Sequence, residues 1–257
     1  LHDALPILTP AHLDLLLETC LLAGKIMIES DAEMYRVEDT MSRIALASGN
    51  YRMVSYVTQT GLFVGIDGTS TIRMVQVMKR GIDLEKISRV NQLSRAYVAG
   101  DFSLEELLNK LKVIDSEHRH FPISARIVSA AVVSATIMIL FGGVWSDLFL
   151  TFLIGGCGYS LYYFSLKFLK IKFLSEFLAS LFIGAAAILS VKLGLGQSQD
   201  LIIIGCVMPL VPGVQITNAL RDLLAGHYLS GVSRGTEALM TSGMIGFGIA
   251  FVFQLFY

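Results

Sequence analysis

The spacing of apolar residues along the chain changes at Pro122. Before it, apolar positions recur at helix or strand spacing among charged residues, whereas after it they form five nearly continuous runs. Each run approaches the roughly 20 residues that a helix needs to cross a bilayer. The runs are 124–141, 148–166, 173–191, 201–220 and 238–256. The sequence therefore predicts a membrane domain of five transmembrane helices over residues 123–257.

The first half carries four helical patterns. Apolar residues recur every three or four positions from Thr9, over 33–48, over Leu84–Ala99 and over 104–115. Thr9, Asp83 and Ser103 precede three of these patterns as N-caps, and Ser103 is followed by Glu106, which completes a capping box. These signals predict four amphipathic helices.

Two segments of the first half instead alternate with a period of two. Residues 52–67 and 69–78 are rich in β-branched and aromatic side chains, and an Asp-Gly pair joins them. An Asp-Gly pair between two such segments indicates a β-hairpin. We therefore predict the fold class as an α+β cytoplasmic domain over residues 9–122, followed by the α-helical membrane domain. Residues 1–8 resemble a translated adapter and are expected to be a non-native leader.

Charge supports this division of the chain. Residues 1–122 hold 13 Lys/Arg and 16 Asp/Glu, whereas residues 123–257 hold 7 and 5. The net charge of −1 argues against nucleic acid as a partner. Basic residues lie in alternate connections, namely Lys167, Lys170 and Lys172, and then Arg221 and Arg234. Because basic loops face the cytoplasm, the first half is expected to be cytoplasmic and the C-terminus outside.

One apolar run is broken by residues that do not suit a helix. Pro209, Pro212 and Gly213 interrupt the fourth run, and the polar residues Thr217, Asn218, Arg221 and Asp222 follow. Broken helices at bilayer depth are tolerated only where protein or a water-filled cavity covers them, as at transporter binding sites. The stretch is either a kinked span with a polar end at the membrane surface or part of a permeation pathway.

Further ionisable residues are candidates for the pathway or for a site before the membrane. Glu176 lies one turn into the third run, where it either pairs with Lys172 at the interface or carries a proton, and Glu237 opens the fifth. Arg221 and Asp222 could pair with Glu237 or Arg234. In the first half, a charged motif holds Glu33, Arg36, Glu38 and Asp39. It is either an ion-pair face or a site that binds a solute or performs catalysis.

The sequence indicates neither a cofactor nor a metal site. Cys20, Cys157 and Cys206 lie far apart, and His118 and His120 are expected to form a surface cluster beside the membrane. No G-x-x-x-x-G-K-[ST] motif is present, which argues against ATP hydrolysis.

Two motifs together resemble the threonine/serine exporter family over nearly the whole chain. They are D-A-E-M-Y-R-V-E-D-T-M-S-R-I-A at 31–45 and P-L-V-P-G-V-Q-I-T-N-A-L-R-D-L-L-A-G-H-Y-L-S-G at 209–231. The chain is most similar to the short form, in which a second small membrane protein supplies the remaining helices. Asp31 stands where the family has glycine, and Met34 where it has threonine or serine.

The resemblance implies export of a small polar solute, such as threonine, serine or succinate, across the plasma membrane. We expect a secondary exporter, driven by the proton motive force, with the broken run lining the solute site and Asp222 or Glu176 carrying the proton. The expected partners are the solute, the lipid bilayer, and either a second small multi-span protein or another copy. The alternatives are a membrane-anchored hydrolase that uses Glu33, Glu38 or Asp39, and a structural subunit of a membrane complex.

Overall fold

A computed structural model describes residues 9–117 and 121–256 and divides into two compact units. Among the described residues, unit 1 takes in 9–117 together with Thr217–Arg234, and unit 2 comprises 121–216 and 235–256. His118 and His120 lie outside the described residues.

The expected fold class of a separate N-terminal α+β domain ahead of five transmembrane helices is wrong. The protein is 73% helical, with only a small three-stranded sheet, and unit 1 includes Thr217–Arg234 from far along the chain. The physical reason is that buried polar groups need partners. Polar side chains in this later segment bind the turn around Asp31, so the N-terminal region is not a compact unit without that segment.

Unit 1 contains four helices and three strands before its later segment. They are α1 (Pro10–Glu29), α2 (Met34–Ala47), β1 (Met53–Thr58), β2 (Gly61–Ile66), β3 (Ile72–Gln76), α3 (Leu84–Ala99) and α4 (Leu104–Ser116). The predicted N-caps form, since Thr9 accepts from the backbone of His12 and Asp83 from that of Lys86. Ser103 and Glu106 make the predicted capping box.

The sheet is antiparallel with the order β1-β2-β3. The expected hairpin at Asp67-Gly68 joins β2 to β3, but the prediction of one strand over 52–67 is wrong. That segment turns back at Gln59-Thr60, because 16 residues exceed the usual strand length of about 5–6. Leu62 and Val64 of β2 are fully buried in the same core as Leu16 and Leu17 of α1.

Unit 2 and the later segment are helical. The elements are α5 (Ile123–Leu140), α6 (Leu148–Leu169), α7 (Lys172–Lys192), α8 (Gln199–Val207), a 3₁₀ turn (Met208–Leu210), α9 (Gly213–Leu224) and α10 (Tyr228–Phe256). Among the described residues, α5, α6, α7 and α10 are each long and apolar enough to cross a membrane. A fifth crossing exists only if Gln199–Leu210 and Gly213–Leu224, bent by 59°, are counted as one broken span.

Small residues allow close packing in unit 2. A Cβ built on Gly205 of α8 would lie 2.5 Å from the backbone oxygen of Ser134 on α5, so only glycine fits there. Lipid provides no hydrophobic drive between helices, and close backbone contact supplies the attraction instead. The connection before α8 is held by Asp147, whose buried carboxylate accepts from the backbone N–H groups of Gln197 and Ser198 at 3.0–3.1 Å.

Candidate functional site

The turn between α1 and α2 presents backbone and side-chain groups to the later segment of unit 1. Helix α1 ends at Glu29, and the N–H of Ala32 donates back to the oxygen of Met27 at 3.0 Å. Asp31 adopts a left-handed conformation with φ of 66°. Glycine reaches this region without strain, and aspartate tolerates it better than most residues. The geometry explains why glycine suits this position and why Asp31 can replace it.

Arg234, in the first turns of α10, binds that turn from inside unit 1. Its side chain is only 1% exposed. One guanidinium nitrogen donates to the carboxylate of Asp31, and another donates to the backbone oxygen of Ala32 at 2.7 Å. Its Nε also lies 3.1 Å from Oδ2 of Asp222. A buried guanidinium needs such partners, because an unpaired charge removed from water is very costly.

Helix α9 contributes its polar side to the same place. Asn218 and Asp222 lie one turn apart, and both are buried. Asn218 donates to the backbone oxygen of Asp31 at 3.0 Å, and Oδ1 of Asp222 accepts from the N–H of Met34 at 2.9 Å. Met34 is the first residue of α2, so the Asp222 carboxylate satisfies a free N–H and faces the positive end of that helix.

Glu33 connects two arginines at the edge of this group. One carboxylate oxygen accepts from Arg221 of α9, and the other lies 3.5 Å from Nη1 of Arg36, so the predicted Glu33–Arg36 pair forms. Burial raises the pKa of the Glu33 carboxyl, but hydrogen bonds from the backbone and Arg221 and the charges of both arginines outweigh it. The pKa is therefore held below its ordinary value.

Gln59, in the turn between β1 and β2, completes this group and was not singled out from the sequence. In the orientation that satisfies its amide, its oxygen accepts from Arg234 Nε at 2.9 Å and from Arg80 at 3.1 Å, and its nitrogen donates to Ser233. Because the Arg234 Nε–H is directed to Gln59, Oδ2 of Asp222 has the charge of Arg234 nearby but accepts no hydrogen bond among the described residues.

We call this set the buried charge cluster. Its members are the buried residues Asp31, Glu33, Gln59, Asn218, Asp222 and Arg234, together with Arg221, which is 54% exposed and lies at its edge. Its carboxylates are matched by the guanidiniums of Arg221, Arg234 and the neighbouring Arg36. A charge-balanced group of this kind holds two distant parts of the chain in one fixed register.

The remaining motif residues of α2 lie outside this cluster. Glu38 lies 3.7 Å from Nε2 of His227, and burial raises the pKa of its carboxyl although the His227 charge partly opposes that effect. Asp39 forms an exposed pair with Arg43 at 2.8 Å. The three carboxylates of the motif thus have different partners: arginines for Glu33 and Asp39, and His227 for Glu38.

The residues that interrupt the fourth apolar run differ in how far they are buried. Pro209 lies in the 3₁₀ turn and is half-buried, whereas Pro212 is buried. Gly213 begins α9, and both Gly213 and Thr217 are exposed. On α9 the exposed side chains include the apolar Ile216 and Leu220 as well as Thr217 and Arg221, while the polar Asn218 and Asp222 are buried. The buried polar pair therefore faces other parts of unit 1, and the exposed side of α9 mixes apolar and polar groups.

A second group of ionisable residues lies in unit 2. Glu176 of α7 is 2% exposed, and its Oε1 accepts from the hydroxyl of Thr241 on α10 at 3.2 Å. Its Oε2 has no hydrogen-bond partner among the described residues. Lys172 donates to Glu237 at 2.7 Å, and Arg221 donates to Glu33. Arg234 pairs with Asp222, and this is one of the expected pairs.

The described residues hold no group of three or more His, Cys, Asp or Glu side chains that could bind a metal ion. The sites that the structure presents are thus the buried charge cluster of unit 1 and the Glu176–Thr241 pair of unit 2.

No curated protein and no solved structure matches the chain. A family model described as "ThrE: Putative threonine/serine exporter" matches residues 18–256, nearly the whole chain. That match and the apolar helices make the chain a multi-pass membrane protein. The chain belongs to the threonine/serine exporter family, which is a family of membrane transporters.

Proposed function

We propose that this protein is a secondary exporter subunit for a small polar metabolite, either a threonine- or serine-type amino acid or a dicarboxylate such as succinate, driven by the proton motive force. The family membership and the apolar helices support export across a membrane. The observation that carries proton coupling is the single carboxylate of Glu176, buried in a helix able to span the membrane.

Glu176 suits a proton carrier because its carboxyl is buried in a helix long enough to span a membrane and, among the described residues, has one oxygen free to take a proton. A charged carboxylate inside a membrane is costly, and such residues face protein interiors and mark ion or proton pathways. Thr241 offers Glu176 one hydroxyl hydrogen bond, and its second oxygen accepts none among the described residues. A protonated carboxyl would place its proton on that second oxygen.

We propose Glu176 rather than Asp222 as the proton carrier, because Asp222 contacts a buried cation. Arg234 lies 3.1 Å from one oxygen of Asp222, and the N–H of Met34 donates to the other. Both partners favour the ionised form, whereas burial of the carboxylate opposes them. We assign the buried charge cluster a positioning role instead. It holds the polar side of α9 in register with the turn between α1 and α2.

The orientation proposed from the basic residues places the region before the membrane helices in the cytoplasm and the C-terminus outside. Lys167, Lys170 and Lys172 still support it, because they lie at the connection between α6 and α7. Arg221 and Arg234 lend less support, since each is committed to an ion pair inside unit 1.

A second subunit is proposed to complete the transporter, either a small multi-span protein or another copy of this chain. Among the four membrane helices, α10 has the smallest buried share of its apolar stretch, 22% against 50% for α7. A Cβ added at Gly243 or Gly246 of α10 would meet nothing within 4 Å among the described residues. These positions leave room for a neighbouring helix to approach closely.

Efflux from loaded cells tests the proposal. Cells expressing the chain, with and without a candidate second subunit, are loaded with threonine, serine or succinate precursors, and the medium is followed. We expect efflux of one solute class that is reduced by a protonophore and by Glu176→Gln but not by Asp200→Asn, an exposed acid on α8. Absence of efflux with both proteins in the membrane would contradict transport and favour a structural subunit.

A further inference from the structure

A cavity of about 510 Å³ lies between α2 and α3 in unit 1, and its lining residue Arg36 pairs with Glu33 at the edge of the buried charge cluster. Its lining comes from Arg36 on α2 and from one face of α3, namely Leu84, Ile87, Ser88, Asn91, Gln92 and Arg95. Pockets for small molecules commonly measure about 300–1,000 Å³ and combine an apolar wall with a few polar groups. The volume falls in that range, but the lining is more polar than usual, since only Leu84 and Ile87 are apolar, and such a lining suits a polar ligand.

The charge of the lining is positive, because two arginines contribute to it and no acidic residue does. Within residues 9–117 and 121–256, the Arg95 guanidinium makes no ion pair or hydrogen bond, and its side chain is exposed. Arg36 is 48% exposed, and its one ion pair, to Glu33, is 3.5 Å long. Guanidinium groups bind carboxylates through paired N–H donors, and these two are accessible.

Uncharged groups in the cavity can add hydrogen bonds to such a ligand. The side-chain oxygen of Asn91 already accepts from Thr40 at 3.3 Å, which leaves its amide N–H groups to donate. Ser88 and Gln92 supply a hydroxyl and a second amide. The N-terminus of α3 does not serve as a phosphate site, because Asp83 caps it by accepting from the N–H of Lys86.

We propose that this cavity binds a small carboxylate that carries no ammonium group. Two guanidiniums attract a carboxylate and repel the ammonium of a zwitterionic amino acid, because no acid among the described residues lines the cavity and Glu33, beside Arg36, is already engaged by Arg36 and Arg221. The bound anion would draw Arg36 away from Glu33, whose other carboxylate oxygen is held by Arg221 of α9. Occupancy of the cavity would therefore alter the charge balance at the edge of the buried charge cluster.

Calorimetric titration of the purified full-length protein in detergent tests the site without requiring transport. The probes are succinate, threonine and inorganic phosphate. We expect saturable succinate binding that Arg95→Gln weakens by roughly tenfold or more, the usual effect of losing a charge-assisted hydrogen bond. Arg43→Gln, an exposed arginine further along α2, serves as the control and is expected to leave binding unchanged.

Three results would overturn the site. They are absence of saturable succinate binding, equal affinity in the Arg95→Gln protein, and binding of threonine or phosphate as tight as that of succinate. Equal affinity in Arg95→Gln would place the anion elsewhere and would leave the proposed export intact. Conversely, Glu176→Gln could lose efflux and still bind succinate with unchanged affinity in the titration. That result would concern the transport pathway and not the cavity.

Discussion

The guanidinium of Arg234 lies 3.1 Å from the carboxylate of Asp222, and both side chains are almost fully buried. Asp222 belongs to α9 and Arg234 to the start of α10, and Arg234 also binds Asp31 after α1. Three segments of unit 1 thus depend on one buried cation. The stability of the unit should depend on this pair far more than on any exposed pair.

Arg234→Gln is expected to lower the free energy of unfolding by about 3–5 kcal/mol, because Asp222 and Asp31 would stay buried after losing the charge of Arg234. Adding Asp222→Asn should recover part of this loss, since one unpaired charge is removed. Thermal unfolding of the purified protein in detergent provides the measurement. Arg43→Gln breaks an exposed pair and should cost less than about 1 kcal/mol. Equal losses for Arg43→Gln and Arg234→Gln would refute this reasoning.

Asp31 tests the conformation of the turn before α2. Both Asp31→Gly and Asp31→Ala remove the partner of Arg234, so both should be less stable than the original protein. Alanine in the left-handed region costs about 1–2 kcal/mol that glycine avoids, so Asp31→Ala should be the less stable of the two. Matched thermal melts of the two proteins measure the difference. An alanine protein as stable as the glycine protein would show that φ at this position is not positive in solution.

Gly205 and Gly243 distinguish internal packing from a surface that is open to a partner. Gly205→Ala should destabilise the protein, because the new Cβ would lie 2.5 Å from the backbone of Ser134. Gly243→Ala should leave the melting temperature of the isolated chain unchanged or slightly higher, since nothing described lies within 4 Å and alanine favours helix by about 1 kcal/mol. If α10 meets a second subunit there, Gly243→Ala should weaken co-purification of that subunit.

The pKa of Glu33 gives a pH dependence with a definite sign. Because the folded pKa lies below the ordinary value of 4.5, the carboxylate stabilises the fold above pH 4.5. That stability is lost as the pH falls through the lower folded pKa. The melting temperature of the original protein should therefore fall more steeply below pH 4.5 than that of Glu33→Gln. Parallel curves for the two proteins would mean that the Arg221 and Arg36 contacts do not hold Glu33 ionised.

The sequence predicted the local elements well because their signals are local. Helix α3 has the predicted limits, and Thr9, Asp83 and Ser103 act as the predicted caps, since each cap depends on residues within three positions. The apolar runs likewise predicted α5, α6 and α7 to within a few residues. Helix α10 begins at Tyr228, ten residues before the predicted 238, because partners inside unit 1 accommodate the polar residues of its first turns.

The candidate site was predicted less completely, because its contacts join residues about 200 positions apart. Proximity of Asp222 to Arg234 was among the expected possibilities, since both lie near one short connection. The pairing of Asp31 with Arg234 and of Glu33 with Arg221 was not, because spacing along the chain cannot reveal it. Gln59 carried no signal of its own, since a glutamine in a turn is ordinary on a protein surface.

The central claim, that Glu176 couples export to protons, is tested most directly in proteoliposomes. The purified protein, with its second subunit if efflux requires one, is reconstituted and the transported solute is followed with and without an imposed pH gradient. The account predicts that the original protein accumulates solute against its gradient in response to the pH gradient. Glu176→Gln should still exchange labelled for unlabelled solute but should no longer respond to the pH gradient. A Glu176→Gln protein that responds like the original would contradict the assignment.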